Sequence, residues 1–233
     1  MDKVNDTQQH LATYYSSREI GQPYNDYWAA RRSLAEKIKR LSLQLQTSEL
    51  SVEELQAIES VVDQQVEQLV DKPQLNGRDE WSSSGQYGSW QVHLLESTPV
   101  LGRASPLSPE LSIWFEQTGE ETRAFASVKF NWLYEGPTGI CHGGWIAAVF
   151  DELLGTAQVL SGKTGMTASL NTRYHKPTPL NKELLLSAWV TEVEDKKIVI
   201  RGEMHDGETL TASCEGIFVI PSNSSNVAFG DIE

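Results

Sequence analysis

The chain has 233 residues, enough for one domain with an extension but not for two large domains, and it can bury a proper core. Its 32 acidic and 19 basic side chains leave a net charge of −13, which argues against nucleic acid and anionic membrane surfaces as partners.

Within residues 1–75, Tyr24, Trp28, Ala35, Ile38, Leu41 and Leu45 recur at helical spacing and predict an amphipathic helix. Ser51-Val-Glu-Glu54 reads as a capping box opening a second helix, with Leu55, Ile58, Val62, Val66 and Leu69 along one stripe. Together they are expected to form a helical hairpin that docks on the core or stabilises a dimer. Asp71 to Ser89, with Pro73, Gly77, Gly85 and Gly88, reads as linker. The Pro- and Gly-containing run Ser97 to Glu110 is an irregular approach that covers a pocket mouth or simply connects across the surface, so residues 76–110 form one connecting unit.

Residues 111–222 read as the main domain. Short alternating runs at 111–116 and 123–131 flank a Gly-Glu-Glu turn, a hairpin signal. From Trp145 to Leu160 apolar residues leave no broad polar stripe, which predicts a helix buried on all sides and therefore wrapped by a sheet. In 166–175, Ala168, Leu170, Thr172 and Tyr174 alternate with Thr167, Ser169, Asn171 and Arg173, and the second set is expected to border a substrate channel. Strands at 183–192, 197–204 and 209–220 follow, with Asp206-Gly207 as a hairpin turn. Five or six antiparallel strands around one helix make an α+β architecture, and residues 223–233 read as a flexible tail.

The segment Gly139-Ile-Cys-His-Gly-Gly-Trp-Ile-Ala-Ala-Val-Phe-Asp151 carries the chemistry. An acid within so apolar a helix needs a reason, because an unpartnered buried carboxylate costs several kcal/mol. His142-Gly143-Gly144 opens the same helix with unshielded N–H groups at the positive end of its dipole, a place to stabilise negative charge. Nine positions separate His142 from Asp151, half a turn beyond whole turns, so the two cannot share one helix face. Two antiparallel copies of the helix would bring Gly143 of one chain to Asp151 of another.

GICHGGWIAAVFDELLG, followed by GMTASLNTRYHKPTPL and a strand-rich end, resembles the hotdog-fold acyl-CoA thioesterases of the phenylacetate-degradation (PaaI) type across residues 90–222. The resemblance implies that Asp151 is general base or nucleophile, the Gly143 N–H the oxyanion donor, Thr167 the residue orienting water and His142 a positioning residue. Substrate contacts would fall to Gly144, Ser169, Asn171, Arg173, His175 and Lys176, with Lys163, Arg173, His175 and Lys176 as a basic patch for CoA phosphates. Glu152 is the competing acid, and Gly136 stands where relatives carry an Asn six residues before the His. Asp151 can deprotonate water or attack the carbonyl; burial would raise its pKa and a neighbouring helix start lower it, so both routes stay open.

The resemblance implies hydrolysis of an acyl-CoA to acid and CoA by a homodimer or a dimer of dimers, with no added cofactor. A non-catalytic acyl-CoA sensor or scaffold is the alternative, and a hydratase is disfavoured because water addition needs an acid and base paired about a double bond. Cys141 and Cys214 form no CxxC pair, which suits a reducing cytoplasm, and a Cys141–His142 pair would point apart as chain neighbours. The histidines at 10, 93, 142, 175 and 205 lack metal-ligand spacing, and no apolar run approaches the roughly 20 residues of a membrane span; neither a metal nor a membrane span is expected.

Overall fold

A computed structural model describes residues 21–74, 77, 80, 87–88 and 90–220. The expected tail at 223–233 and much of the expected linker before Trp90 lie outside the described residues. In chain order the elements are α1 (Asp26–Thr47), α2 (Val52–Glu67), α3 (Trp90–Ser97), β1 (Glu110–Thr118), β2 (Glu121–Lys129), α4 (Gly143–Ala157), β3 (Met166–Tyr174), β4 (Glu183–Val193), β5 (Lys197–Asp206) and β6 (Thr209–Val219). Short 3-10 turns occupy Trp132–Tyr134 and Gln158–Ser161.

The six strands form one antiparallel sheet in the order β1-β2-β4-β5-β6-β3, curled around α4. This is the α+β hotdog arrangement expected from the sequence. Gly119 and Gly207, at φ +64° and +58°, turn the β1–β2 and β5–β6 hairpins through backbone that other residues adopt at a cost.

Helix α4 approaches the sheet closely because the strands beneath it are thinned to Ala124, Ala126, Ala188, Gly202, Ala212 and Gly216. A Cβ at Gly202 would stand 2.8 Å from Leu154 Cδ1, and one at Gly216 would stand 2.9 Å from Leu154 Cδ2. Ile146, Val149, Phe150, Leu153, Leu154 and Ala157 of α4 fill the space above, with Leu184, Leu186, Ile198, Ile200 and Phe218 opposite. Each fully buried side chain of this size contributes roughly 1.5–3 kcal/mol.

The burial is not all-round, as the apolar run implied. Gly144, Asp151 and the preceding His142 are exposed, and β3, the edge strand beside them, is exposed along most of its length. Hydropathy reports which residues avoid water but not which side of a helix the chain's own sheet covers.

The connecting unit contains α3, too short and weakly patterned to stand out in the sequence. Leu95 and Leu101 enter the main core, while Arg103 and Tyr134 tie the following segment down through Arg103 Nη2 to Ser112 Oγ (3.4 Å) and Tyr134 Oη to the Leu107 carbonyl (3.3 Å). This approach packs on β1, at the opposite edge of the sheet from β3.

Helix α1 docks on α3 through a second apolar cluster built around Trp28, whose Nε1 donates to the Tyr87 carbonyl at 2.8 Å. Arg32 grips Glu96 through two N–H donors at 2.8 and 2.6 Å, and the Glu96 side chain is 0% exposed. This fork is the geometry that guanidinium offers a carboxylate and ammonium does not. The capping box of α2 is present, with Ser51 and Glu54 bonding each other's backbone N–H. The expected hairpin packing is not: α2 buries no residue and makes no extended contact with α1.

Candidate active site

The loop before α4 is held from both sides. Cys141 N–H donates to Thr178 O at 2.9 Å, His142 N–H to Tyr134 O at 2.8 Å, and Gly136 N–H to Ile140 O at 2.9 Å. Gly136 lies so close to His142 that a Cβ would stand 2.9 Å from its Cα. The loop therefore has no room for the Asn found in PaaI-type relatives unless its backbone shifts.

His142 is the N-cap of α4, its Nδ1 accepting from the Gly144 N–H at 3.0 Å. Trp145 and Ile146 N–H groups turn back to the His142 carbonyl at 3.0 and 3.4 Å. The Gly143 N–H has no acceptor among the described residues. Gly144's N–H, by contrast, is taken up by the cap. Tyr174, a residue to which sequence reasoning gave no role, donates its hydroxyl to the Gly143 carbonyl at 2.9 Å and pins the helix start to β3. Its ring is also why position 143 is glycine, since a Cβ there would stand 3.1 Å from Tyr174 Cζ and Oη.

Two turns along α4, Asp151 Oδ1 accepts a hydrogen bond from Thr167 Oγ1 at 2.9 Å. A β-bulge makes this pairing compatible with Tyr174. The β3–β6 register skips Ala168 between Thr167 and Ser169, so strict alternation breaks there. Thr167 faces α4, and beyond the bulge Leu170, Thr172 and Tyr174 face it too. Ser169, Asn171 and Arg173 consequently fall on the outer face, not beside Thr167 as unbroken alternation predicts.

An open groove of about 400 Å³ runs past the helix start, lined by Pro137, Ile140, Cys141, Gly143, Ile146, Tyr174, His175, Lys176, Pro177 and Thr178. It brings His175 and Lys176 to Gly143, with His175 Nε2 2.8 Å from Ser213 Oγ. Lys163 is elsewhere, donating to the Glu194 carbonyl at 3.0 Å, so the four expected cations do not form one patch. Glu152 is half-buried beside the exposed Asp151.

Neither cysteine is an activated nucleophile. Burial pushes the Cys141 thiol up to about 12, and its S–H points to the His142 carbonyl at 3.6 Å. Cys214, under Thr172, is also raised, first by burial and further by the Asp151 and Glu215 charges, against a lowering hydrogen bond from Thr172. Among the described residues no group of three or more His, Cys, Asp or Glu is placed to hold a metal, and no helix is long and apolar enough to cross a membrane.

Residues 138–213 match the family model of the thioesterase superfamily. Human acyl-coenzyme A thioesterase THEM5 is 32% identical over 87 residues, covering 36% of this chain and 35% of that protein. Mouse acyl-coenzyme A thioesterase THEM4 is 31% identical over 87 residues, covering 36% and 37%. The chain thus spans about a third of the length of these curated relatives. A crystal structure of protein RHA08564, a thioesterase superfamily protein, superposes with a TM-score of 0.66 at 25% identity over 85% of this chain and 97% of that one.

Proposed function

We propose that this chain, a hotdog domain whose residues 138–213 match the thioesterase superfamily model, hydrolyses an acyl-CoA thioester to a free acid and CoA at a site shared by two copies. The observation that carries the reading is the Thr167–Asp151 hydrogen bond on the open side of α4. A hydroxyl bonded to a carboxylate can hold a water for deprotonation, or steady the carboxylate as it attacks the carbonyl. The acyl-CoA class comes from the curated relatives, both acyl-coenzyme A thioesterases.

The second copy follows from reach. Attack at a thioester carbon and stabilisation of its oxyanion must meet on one carbonyl, with reacting groups about 3–3.5 Å apart. At 1.5 Å per residue, Gly143 and Asp151 are separated by roughly 12 Å along the helix, so one copy cannot supply both. Exposed β3 is an unpaired sheet edge beside both residues, suited to an antiparallel second copy. That copy would also exclude water around Asp151, and the Gly143 donor would then be worth on the order of 3 kcal/mol to the tetrahedral intermediate. His175 and Lys176 in the groove offer donors to the anionic CoA portion, and the reaction needs no further cofactor.

Free-thiol release by the purified protein against short, medium, long and aromatic acyl-CoAs tests the proposal. Release well above background that depends on the acyl group supports it. Tight acyl-CoA binding without release across the panel would assign the pocket to a sensor or scaffold.

A further inference from the structure

We infer that α2 is an arm exchanged between two copies of this chain, laying its apolar stripe on α1 of the other copy. The inference rests on the two-copy arrangement proposed above and adds where the N-terminal helices go in it.

Helix α2 is a 16-residue helix with a full capping box, yet it buries nothing in its own chain. Leu55, Val62 and Val66 are 44%, 43% and 56% exposed on its apolar stripe. Such a helix draws most of its stability in proteins from a packed face, and among the described residues that face packs on no other element. Helix α1 carries a matching exposed stripe, with Leu34, Ile38 and Leu45 at coiled-coil spacing.

Charge selects the occupant. Helix α2 contains five acidic residues and no Lys or Arg, whereas α1 contains five basic residues against two acidic ones. Two α2 helices side by side would repel, while α2 against α1 is complementary. Placement selects the copy. The end of α1 is fixed on the 3-10 turn that holds the loop before α4, where Gln46 Nε2 donates to the Trp132 carbonyl at 2.7 Å, and α2 begins five residues later. With Gly143 of each copy at Asp151 of the other, the two α4 starts lie about 12 Å apart along the helix axis, and α2, about 24 Å long, is long enough to cross that distance. It can therefore reach from the end of its own α1 to the other copy, where that copy's α1 ends beside its own α4.

The test uses full-length chains carrying Ile38→Cys or Val62→Cys, with distinguishable tags, co-expressed and treated with a short bis-maleimide; the solution mass of the unmodified protein is measured in parallel. Both changes are on exposed positions, and the native thiols are buried. The expected result is a covalent species containing both tags, formed by the mixed pair and by neither variant alone. A dimeric mass without that species overturns the exchange while leaving the shared site standing. Cross-linking by Val62→Cys alone also overturns it. A monomeric mass overturns both proposals. A mixed-tag species from a protein that releases no thiol from acyl-CoA supports the exchange and removes the catalytic reading.

Discussion

Asp151 has the uncommon position of an acid within an apolar helix yet open to solvent in one copy, so its replacement should change chemistry rather than folding. Asp151→Asn is expected to lower turnover by at least about a hundredfold with an unchanged unfolding midpoint, measured by thiol release and thermal melting. Retention of full activity would move the role to Glu152. Thr167→Ala removes the hydroxyl that bonds Asp151 and should cost about tenfold, with Thr167→Ser restoring most of the rate. The thiols make a prediction of a different kind. Cys141 is raised from 9.0 to about 12, so its protonated form is favoured by folding. That stability is complete below pH 9 and is lost as the pH climbs towards 12. Melting temperature should therefore fall above pH 9, less steeply in Cys141→Ala, and neither thiol should react with a thiol reagent at pH 8 until the protein is denatured.

Helix α4 and its sheet behave as one fitted pair, and Leu154 is the residue through which they are fitted. Gly202→Ala forces a Cβ into Leu154 and should destabilise by about 1–3 kcal/mol, while Leu154→Ala leaves a cavity costing about 2–5 kcal/mol. Because the second change makes room for the first, the double variant should lose less than the sum in denaturant titrations. The element order was readable from the sequence because each strand alternates between turn signals and α4 is long and apolar. The bulge at Ala168 was not. It has no residue signature, yet it moves Thr167 to the helix side and leaves Ser169, Asn171 and Arg173 on the other. Tyr174 was visible as a strand residue, but its bond to Gly143 joins positions 31 apart, and only the folded chain brings these together. Helix α3 lacked the length for a periodic signal, and the exposure of Asp151 depends on where the sheet ends rather than on local hydropathy.

At the scale of the whole molecule, a shared site makes a prediction that a single-chain site cannot imitate. Asp151→Asn, which removes the carboxylate, and Gly143→Pro, which removes the backbone N–H at the first helical position, are each expected to lose at least about a hundredfold in turnover. A mixed dimer would retain one site with both native residues, so co-expression should restore about a quarter of wild-type activity if chains pair at random. No recovery from confirmed mixed dimers would place the catalytic groups within one chain. The strand order also has a consequence for biosynthesis. β3 carries Thr167 but pairs only with β6, so its hydrogen-bond ladder waits for residues 209–219. Asp151 and Thr167 are thus made early and aligned late, after α4 and most of the sheet have been synthesised. Translation order thus makes β6 the last piece of the proposed site, since the strand that carries Thr167 has no partner in its own sheet until residues 209–219 are made.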